Sequence, residues 1–310
     1  LVITALGGSS STPEGGIEAE VVRFTSIAAM KAAPREAVAG KIVFIDEFTP
    51  RTQDGSGYGM GVNKRFICAK DAAEMGAAAC LVRSAGTQAR RFAHTGSSFK
   101  DGLTGPLPTA ALSPPDADQI ARLLTRGPVR IGMTIEVEVK ADVPSGNVIA
   151  EIVGRETPEE IVLVACHLDS WDMGTGAFDD AVGCGIVTAA ARAVADVMGP
   201  PKRTVRIIWF GAEEVSLLGA RAYLARHQGA LDRYVVASES DFGAGPVWRF
   251  QSRFGAGAMD AATYMAEALA PLGILKGDNN ARGGPDVGVL APFGVPMVTL
   301  MQDGTDYFDF

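Results

Sequence analysis

The chain is short of the features that would settle its class at once. Its 310 residues hold only four cysteines and three histidines. Cys68, Cys80, Cys166 and Cys184 form no CxxC pair. Four in this length make no disulfide framework and leave the redox compartment open. No uninterrupted apolar run reaches the ~18 residues of a membrane-spanning helix. No basic stretch followed by an apolar one opens the chain, so no signal peptide is readable in it. Basic residues are in deficit, 28 against 36 acidic, for a net charge of −8. That balance disfavours nucleic acid and anionic membrane as partners. There is no internal repeat and no low-complexity tract. There is also no initiator methionine: Leu1 to Leu6 already reads as strand, and Tyr307 to Phe310 stop without a polar tail. Both ends therefore read as cut, and the chain as a piece of a longer protein.

What is present is apolar and rhythmic. Hydrophobic residues make up 47% of the chain, enough for two domains or one large one. Residues 1–21 offer one short strand and a Gly/Ser/Pro turn. Between 22 and 141 strands are expected at Gly40–Asp46, Ala77–Arg83, Leu107–Leu112 and Val129–Val139. Helices are expected over Phe66–Met75 and from the Ser113 cap to Thr125. Glycine alternates from Gly55 to Gly61, but the spacing and the ending of a phosphate loop are missing, so a flexible loop is expected there. Ala141 to Gly146 is a turn and a boundary. From 142 to 310 the rhythm is α/β. Its strands are Asn147–Val153, Glu160–Ala165, Val205–Phe210, Tyr234–Ser238, Val247–Gln251 and Pro296–Met301. Its helices are Ala181–Met198, Ser216–His227 and Ala258–Leu272.

Chemistry gathers where these strands end. The apolar, β-branched run to Ala165 reads as a buried parallel strand, and His167-Leu168-Asp169 follows it. Asp179-Asp180 opens the next helix. Glu213-Glu214 follows the strand ending at Phe210, and Glu239-Ser240-Asp241 closes another. Each has an ordinary explanation: Glu-Glu as a solvated helix start, Asp179 as an N-cap. Acids just past three buried strands together are harder to explain by solvation. Sites in open α/β sheets lie at the carboxyl ends of strands, and imidazole with carboxylates suits zinc. His94 reads as a surface loop residue and His227 as a helix-end residue, neither as a ligand. Asp286, in a Gly-rich loop, is a candidate pocket residue or a simple helix cap.

Taken together, His167-x-Asp169, Asp179-Asp180-x-x-Gly183, Glu213-Glu214 and Glu239-x-Asp241 resemble the co-catalytic di-zinc aminopeptidases, a family that includes the glutamate carboxypeptidases. His167 to Asp172, Pro201-Lys202-Arg203-Thr204 and Glu239 to Asp241 look closest to its carboxypeptidase Q branch. The element series over 22–141 resembles a protease-associated domain, which in such proteins acts as a lid or a substrate-restricting insert. The resemblance implies an α/β zinc-exopeptidase sheet with helices on both faces plus that smaller α/β insert. Residues 1–21 would be the tail of an N-terminal peptidase segment and 142–310 an incomplete catalytic domain. It implies two zinc ions in the intact parent. His167 and Asp241 would bind one, Glu214 the other, and Asp179 would bridge them. Glu213 would be the general acid/base, and Asp169 would hold His167 from behind. It also implies a cis peptide bond between Asp179 and Asp180.

The expected activity is exopeptidase cleavage of short peptides or dipeptides, with aminopeptidase, carboxypeptidase and dipeptidase action left open. The rivals are a single-zinc amidase or cyclase on the same fold and a non-catalytic receptor-like ectodomain. A short peptide is the expected partner, a homodimer is possible, and an extracellular or periplasmic place follows from the resemblance alone. The family's last histidine ligand is expected just beyond Phe310, with Asp303, Asp306 or Asp309 as poor substitutes. On that ligand count the 310-residue chain would bind at most one zinc tightly and have no useful peptidase activity. Without metal, some of the crowded acids should have raised pKa values.

Overall fold

The computed structural model describes residues 1–98, 104–140 and 143–309. Two compact units divide the chain. One is Leu1–Val143 with the last residues from Phe308, and the other is Pro144–Tyr307. Residues 1–21, expected to stand apart, lie in the first unit.

The first unit is built on a six-stranded sheet. Its strands are β1 (Ile3–Ala5), β2 (Ile17–Phe24), β3 (Ile42–Ile45), β4 (Ala79–Arg83), β5 (Thr109–Leu112) and β6 (Arg130–Met133), in the order β1-β5-β4-β3-β2-β6. The four inner strands run parallel and the two edges antiparallel to them. Period-two alternation feeds a core on each face. Val43 and Ile45 join Cys68 and Ala72 of helix α3 (Asn63–Glu74) and Met30 of helix α1 (Ile27–Lys31). Ile42 and Phe44 join Ala117 and Ile120 of helix α4 (Pro114–Leu124).

The glycine-alternating stretch is a short helix, α2 (Ser56–Gly61), where a flexible loop was expected. Close approach explains it. A Cβ on Gly57 would lie 1.8 Å from the Pro50 carbonyl oxygen, and one on Gly61 2.2 Å from Thr49 Oγ1. The strand expected over Val129–Val139 is shorter, because its pairing with β2 ends at Met133. The cysteines, which carried no pairing signal, are joined: Cys68 to Cys80 here, and Cys166 to Cys184 in the second unit. Closing loops of 12 and 18 residues is worth about 3 kcal/mol each on the chain-entropy account.

The second unit holds a seven-stranded sheet in the order β12-β11-β13-β10-β8-β9-β7. The strands are β7 (Val148–Ile152), β8 (Thr157–His167), β9 (Arg203–Phe210), β10 (Tyr234–Glu239), β11 (Val247–Arg253), β12 (Leu275–Lys276) and β13 (Met297–Gln302). Helices lie on both faces, as expected. On one, α5 (Val182–Met198) sets Cys184, Val187 and Ala191 against Cys166 and Ile207. α7 (Met259–Leu269) packs Ala266 near Phe250 and Val298. On the other, α6 (Leu218–His227) and the turn Val287–Phe293 cover Leu163, Phe210, Ala237 and Met297. Residues 177–198 are long and apolar enough to cross a membrane by composition, but α5 buries one face in this core.

Asp116 ties the first unit's edge to α4. Its carboxylate accepts the Val2 N–H at 2.7 Å and the Ser113 hydroxyl at 2.7 Å, and it pairs with Arg91 at 2.9 Å. Burial works against the charge, yet Arg91 and those donors hold the carboxyl down to about 2. The folded state therefore binds this proton less readily than the unfolded chain. The resulting stability is full above about pH 4 and lost as pH falls to about 2. Asp116→Asn is expected to cost roughly 1–3 kcal/mol at pH 7. It should also flatten that acid limb in chemical denaturation curves.

Candidate metal centre

Parallel register brings the acids together. β8 pairs with β9 so that His167 stands opposite Phe210, and with β10 so that Ala165 stands opposite Glu239. The carboxyl ends of three neighbouring strands are thus level, and the turns leaving them face one another. His167, last in β8, is 1% exposed. Its Nε2 lies 2.9 Å from Asp179 Oδ1 and 3.4 Å from Asp241 Oδ1. His167, Asp179 and Glu214 can bring one donor atom each within 4.8 Å of one another, and so can His167, Asp180 and Asp241.

The backbone around these donors is set with unusual care. The Asp179–Asp180 bond is cis, as the resemblance implies. Asp180, 1% exposed, accepts the His167 N–H on Oδ2 at 3.1 Å. Gly183 has no room for a side chain, since a Cβ there would lie 2.0 Å from the Ser240 carbonyl oxygen. Around Glu213-Glu214, Ala212, Ser216 and Leu217 all have φ between 57° and 89°. That left-handed region is costly for residues other than glycine. The turn is held by Leu217 N–H to the Glu213 carbonyl at 2.8 Å and Gly219 N–H to the Gly211 carbonyl at 3.0 Å.

Two residues carry more than was expected of them, or less. Asp169 reaches the imidazole by two routes, its carboxylate at 3.6 Å from Nδ1 and, closer, its backbone carbonyl at 2.9 Å. The carboxylate also accepts the N–H groups of Glu213 (2.9 Å) and Glu214 (3.1 Å), so it fixes the Glu-Glu turn. Asp286 lines no open pocket, because it is fully buried. It caps nothing either: neither of its oxygens finds a hydrogen-bond partner. It lies beside Glu239, whose Oε2 accepts the Val287 N–H at 3.0 Å. A missed residue is Tyr307, whose hydroxyl hydrogen-bonds Asp179 and whose ring packs on Phe178 and Phe242. Only its place before the expected last ligand could have marked it.

The other histidines and Asp309 have partners of their own. His94 donates its backbone N–H to Ser84 and meets Phe92 edge-on. His227 ends α6 against the Tyr223 ring. Asp309 pairs with Arg51 and Thr87.

The electrostatics are lopsided. Burial works against a charged His167, but Asp169, Asp179 and Asp241 outweigh it and raise the imidazole's proton affinity. Burial, with the charge of Asp241, pushes Glu213 up to about 9. Burial and the charge of Asp179 push Glu214 up to about 8, and burial takes Asp180 to about 8 as well. Asp241 rises to about 6 and Asp286 to about 7, both chiefly through burial. Asp180 Oδ1, Glu239 Oε1 and both Asp286 oxygens are buried without a hydrogen-bond partner. Surplus carboxylates converging on one imidazole fit a divalent cation, and this nitrogen-oxygen set fits zinc.

Because ligands must shed protons to bind metal, zinc affinity is expected to rise with pH from about 6 to 8, where Asp241 and Glu214 lose theirs, and to keep rising while His167 still holds its own. Buffer-dependent binding enthalpies would show the proton release. Asp169→Asn leaves one acceptor oxygen where two are used. It is expected to weaken metal binding about 10–100-fold, as read by calorimetric titration.

Residues 147–308 match the family model described as peptidase family M28. Carboxypeptidase Q of Mus musculus is 35% identical over 315 residues, covering all of this chain and 64% of the mouse protein. The Homo sapiens counterpart is 34% identical with the same coverage. The chain thus spans about 64% of the length of these relatives. A crystal structure of a peptidase M28 precursor from Shewanella amazonensis is 44% identical, with a TM-score of 0.96 over all of this chain and 70% of that one. A zinc aminopeptidase from Bacillus subtilis shares the fold, with a TM-score of 0.63 at 19% identity.

Proposed function

From the premise that this chain belongs to peptidase family M28, we propose that it carries the metal centre of a zinc exopeptidase that hydrolyses short peptides. The observation that carries the proposal is the convergence of Asp179, Glu214 and Asp241 on the one imidazole of His167. At the full length of its relatives the protein would hold two zinc ions: His167 and Asp241 would serve one, Glu214 the other, and Asp179 would serve both. Zinc, when bound there, supplies Lewis acidity toward the scissile carbonyl.

The chain's own residues do the rest. Glu213 sits beside Glu214 on the turn that Asp169 fixes. Burial and its acidic neighbours raise its proton affinity. Beside a bound divalent ion, which favours its ionised form, it would take a proton from water and give it to the leaving amine. Asp180 orients His167 through the backbone N–H, and Tyr307 orients Asp179. The first unit is read as a protease-associated domain that restricts substrates, on its element series alone. An extracellular or lumenal place is proposed from the two disulfides, which persist in oxidising compartments.

The test is a panel of dipeptides with free and blocked termini, assayed on the zinc-loaded protein at the full length of its relatives. Turnover that needs a free terminus and stops on chelation is the expected result. Glu213→Gln should keep the metal and lose turnover about 10²–10⁴-fold. Tight metal binding with no hydrolysis of any peptide would sink the enzyme reading in favour of a receptor-like one.

A further inference from the structure

We propose that the Cys166–Cys184 disulfide is the positioning device of the metal centre, holding His167 and Asp179 in reach of one ion before that ion arrives. The proposal rests on the metal reading of the site. Cys166 immediately precedes His167 at the end of β8, and Cys184 lies one helical turn beyond Asp180 in α5. Both are buried, at 0% and 7% exposure. The bridge closes 18 residues that include His167, Asp169, Asp179 and Asp180. Between the two ligands runs an irregular loop with Met173 and Gly176 at positive φ. Left to itself, such a loop would let Asp179 wander and would add an ordering cost to metal capture.

Besides the apolar packing of α5 on β8 and β9, the ties between these two walls are made by charged groups. His167 meets Asp179 through Nε2 and Asp180 through its backbone N–H, and both partners are carboxylates, which repel one another. The disulfide is covalent and carries no charge, so it holds whether or not the acids repel. On the opposite side, Gly183 lets the start of α5 press against Ser240, next to Asp241. The start of α5 is thus fixed to β8 by the bridge and to the end of β10 by contact. Cys68–Cys80 provides an internal comparison. It joins α3 to β4 in the first unit and closes a loop that contains none of the proposed ligands.

The experiment titrates zinc and cobalt(II) into the 310-residue chain by calorimetry and visible absorption. The variants are Cys166→Ala/Cys184→Ala, Cys166→Ala/Cys184→Val to refill the space, and Cys68→Ala/Cys80→Ala as the comparison. Both bridges should contribute to thermal stability. Only loss of Cys166–Cys184 should weaken metal binding, by about 10–100-fold, the range seen when a ligand's support is removed. It should also change the cobalt absorption that reports ligand geometry. Unchanged affinity and spectrum in either folded variant of that pair would overturn the proposal. So would an equal loss in the Cys68/Cys80 variant. No saturable binding to the unsubstituted chain would overturn the metal reading itself, and the clamp with it.

Discussion

Buried like charge is the constraint on which the second unit turns. Carboxylates repel one another and lose solvation when buried, yet Asp179, Glu214 and Asp241 converge on a single imidazole, with Glu213 next to Glu214 and Asp180, Glu239 and Asp286 behind them. Hydrophobic packing alone would never select such a cluster, and it lowers the stability of the metal-free fold. Several nearby features can be read as its offsets. Asp169 is supplied with two backbone N–H groups, which together with His167 hold its carboxyl below the usual range against the effect of burial. Asp180 receives a third N–H. The left-handed residues at 212, 216 and 217 store further cost in the turn. Strain and unpaired polar atoms at one sheet edge mark where stability has been given up for chemistry.

The sheet that carries this load was largely legible because its signals are local. Ile161-Val162-Leu163-Val164 announces a buried strand by branching and apolarity. The strand found, Thr157–His167, is longer because pairing with β9 carries polar Thr157 along with it. The acids were legible for a related reason: parallel strands deliver their carboxyl ends to one edge, so the order of strand and acid in sequence becomes proximity in space. β2 was missed although Ile17-Glu18-Ala19-Glu20-Val21 alternates apolar and polar strictly, because it directly follows a glycine-rich turn and its apolar positions are few. It is a strand because β3 and β6 flank it.

What stayed hidden depended on distance. No spacing told that Cys166 and Cys184 meet, since their pairing follows from how α5 lies on β8 and β9. Asp286 sits in a Gly-Gly-Pro loop that looks exposed, but the loop folds inward against Glu239, close enough that a Cβ on Gly284 would lie 2.3 Å from the Glu239 Cβ. Asp169 was placed in the right neighbourhood with only one of its partners. A carboxylate two residues past a histidine can serve the ring and the neighbouring turn, and only the orientation of the Glu213 and Glu214 N–H groups adds the second role. The glycines at 57 and 61 deceived in the same way, since they are required by close approach and not by flexibility.

Charge separates the acids that would hold an ion from those that only stand behind them. Two divalent ions would balance four negative charges, and Asp179, Glu213, Glu214 and Asp241 can supply four. All three acids behind them are pushed toward the protonated form, Asp180 to about 8, Asp286 to about 7 and Glu239 well above its usual range, each chiefly through burial. A buried carboxyl that keeps its proton adds no charge for an ion to balance. The acids nearest His167 are therefore the ones whose repulsion a cation would relieve, and those behind them shape the site as neutral groups.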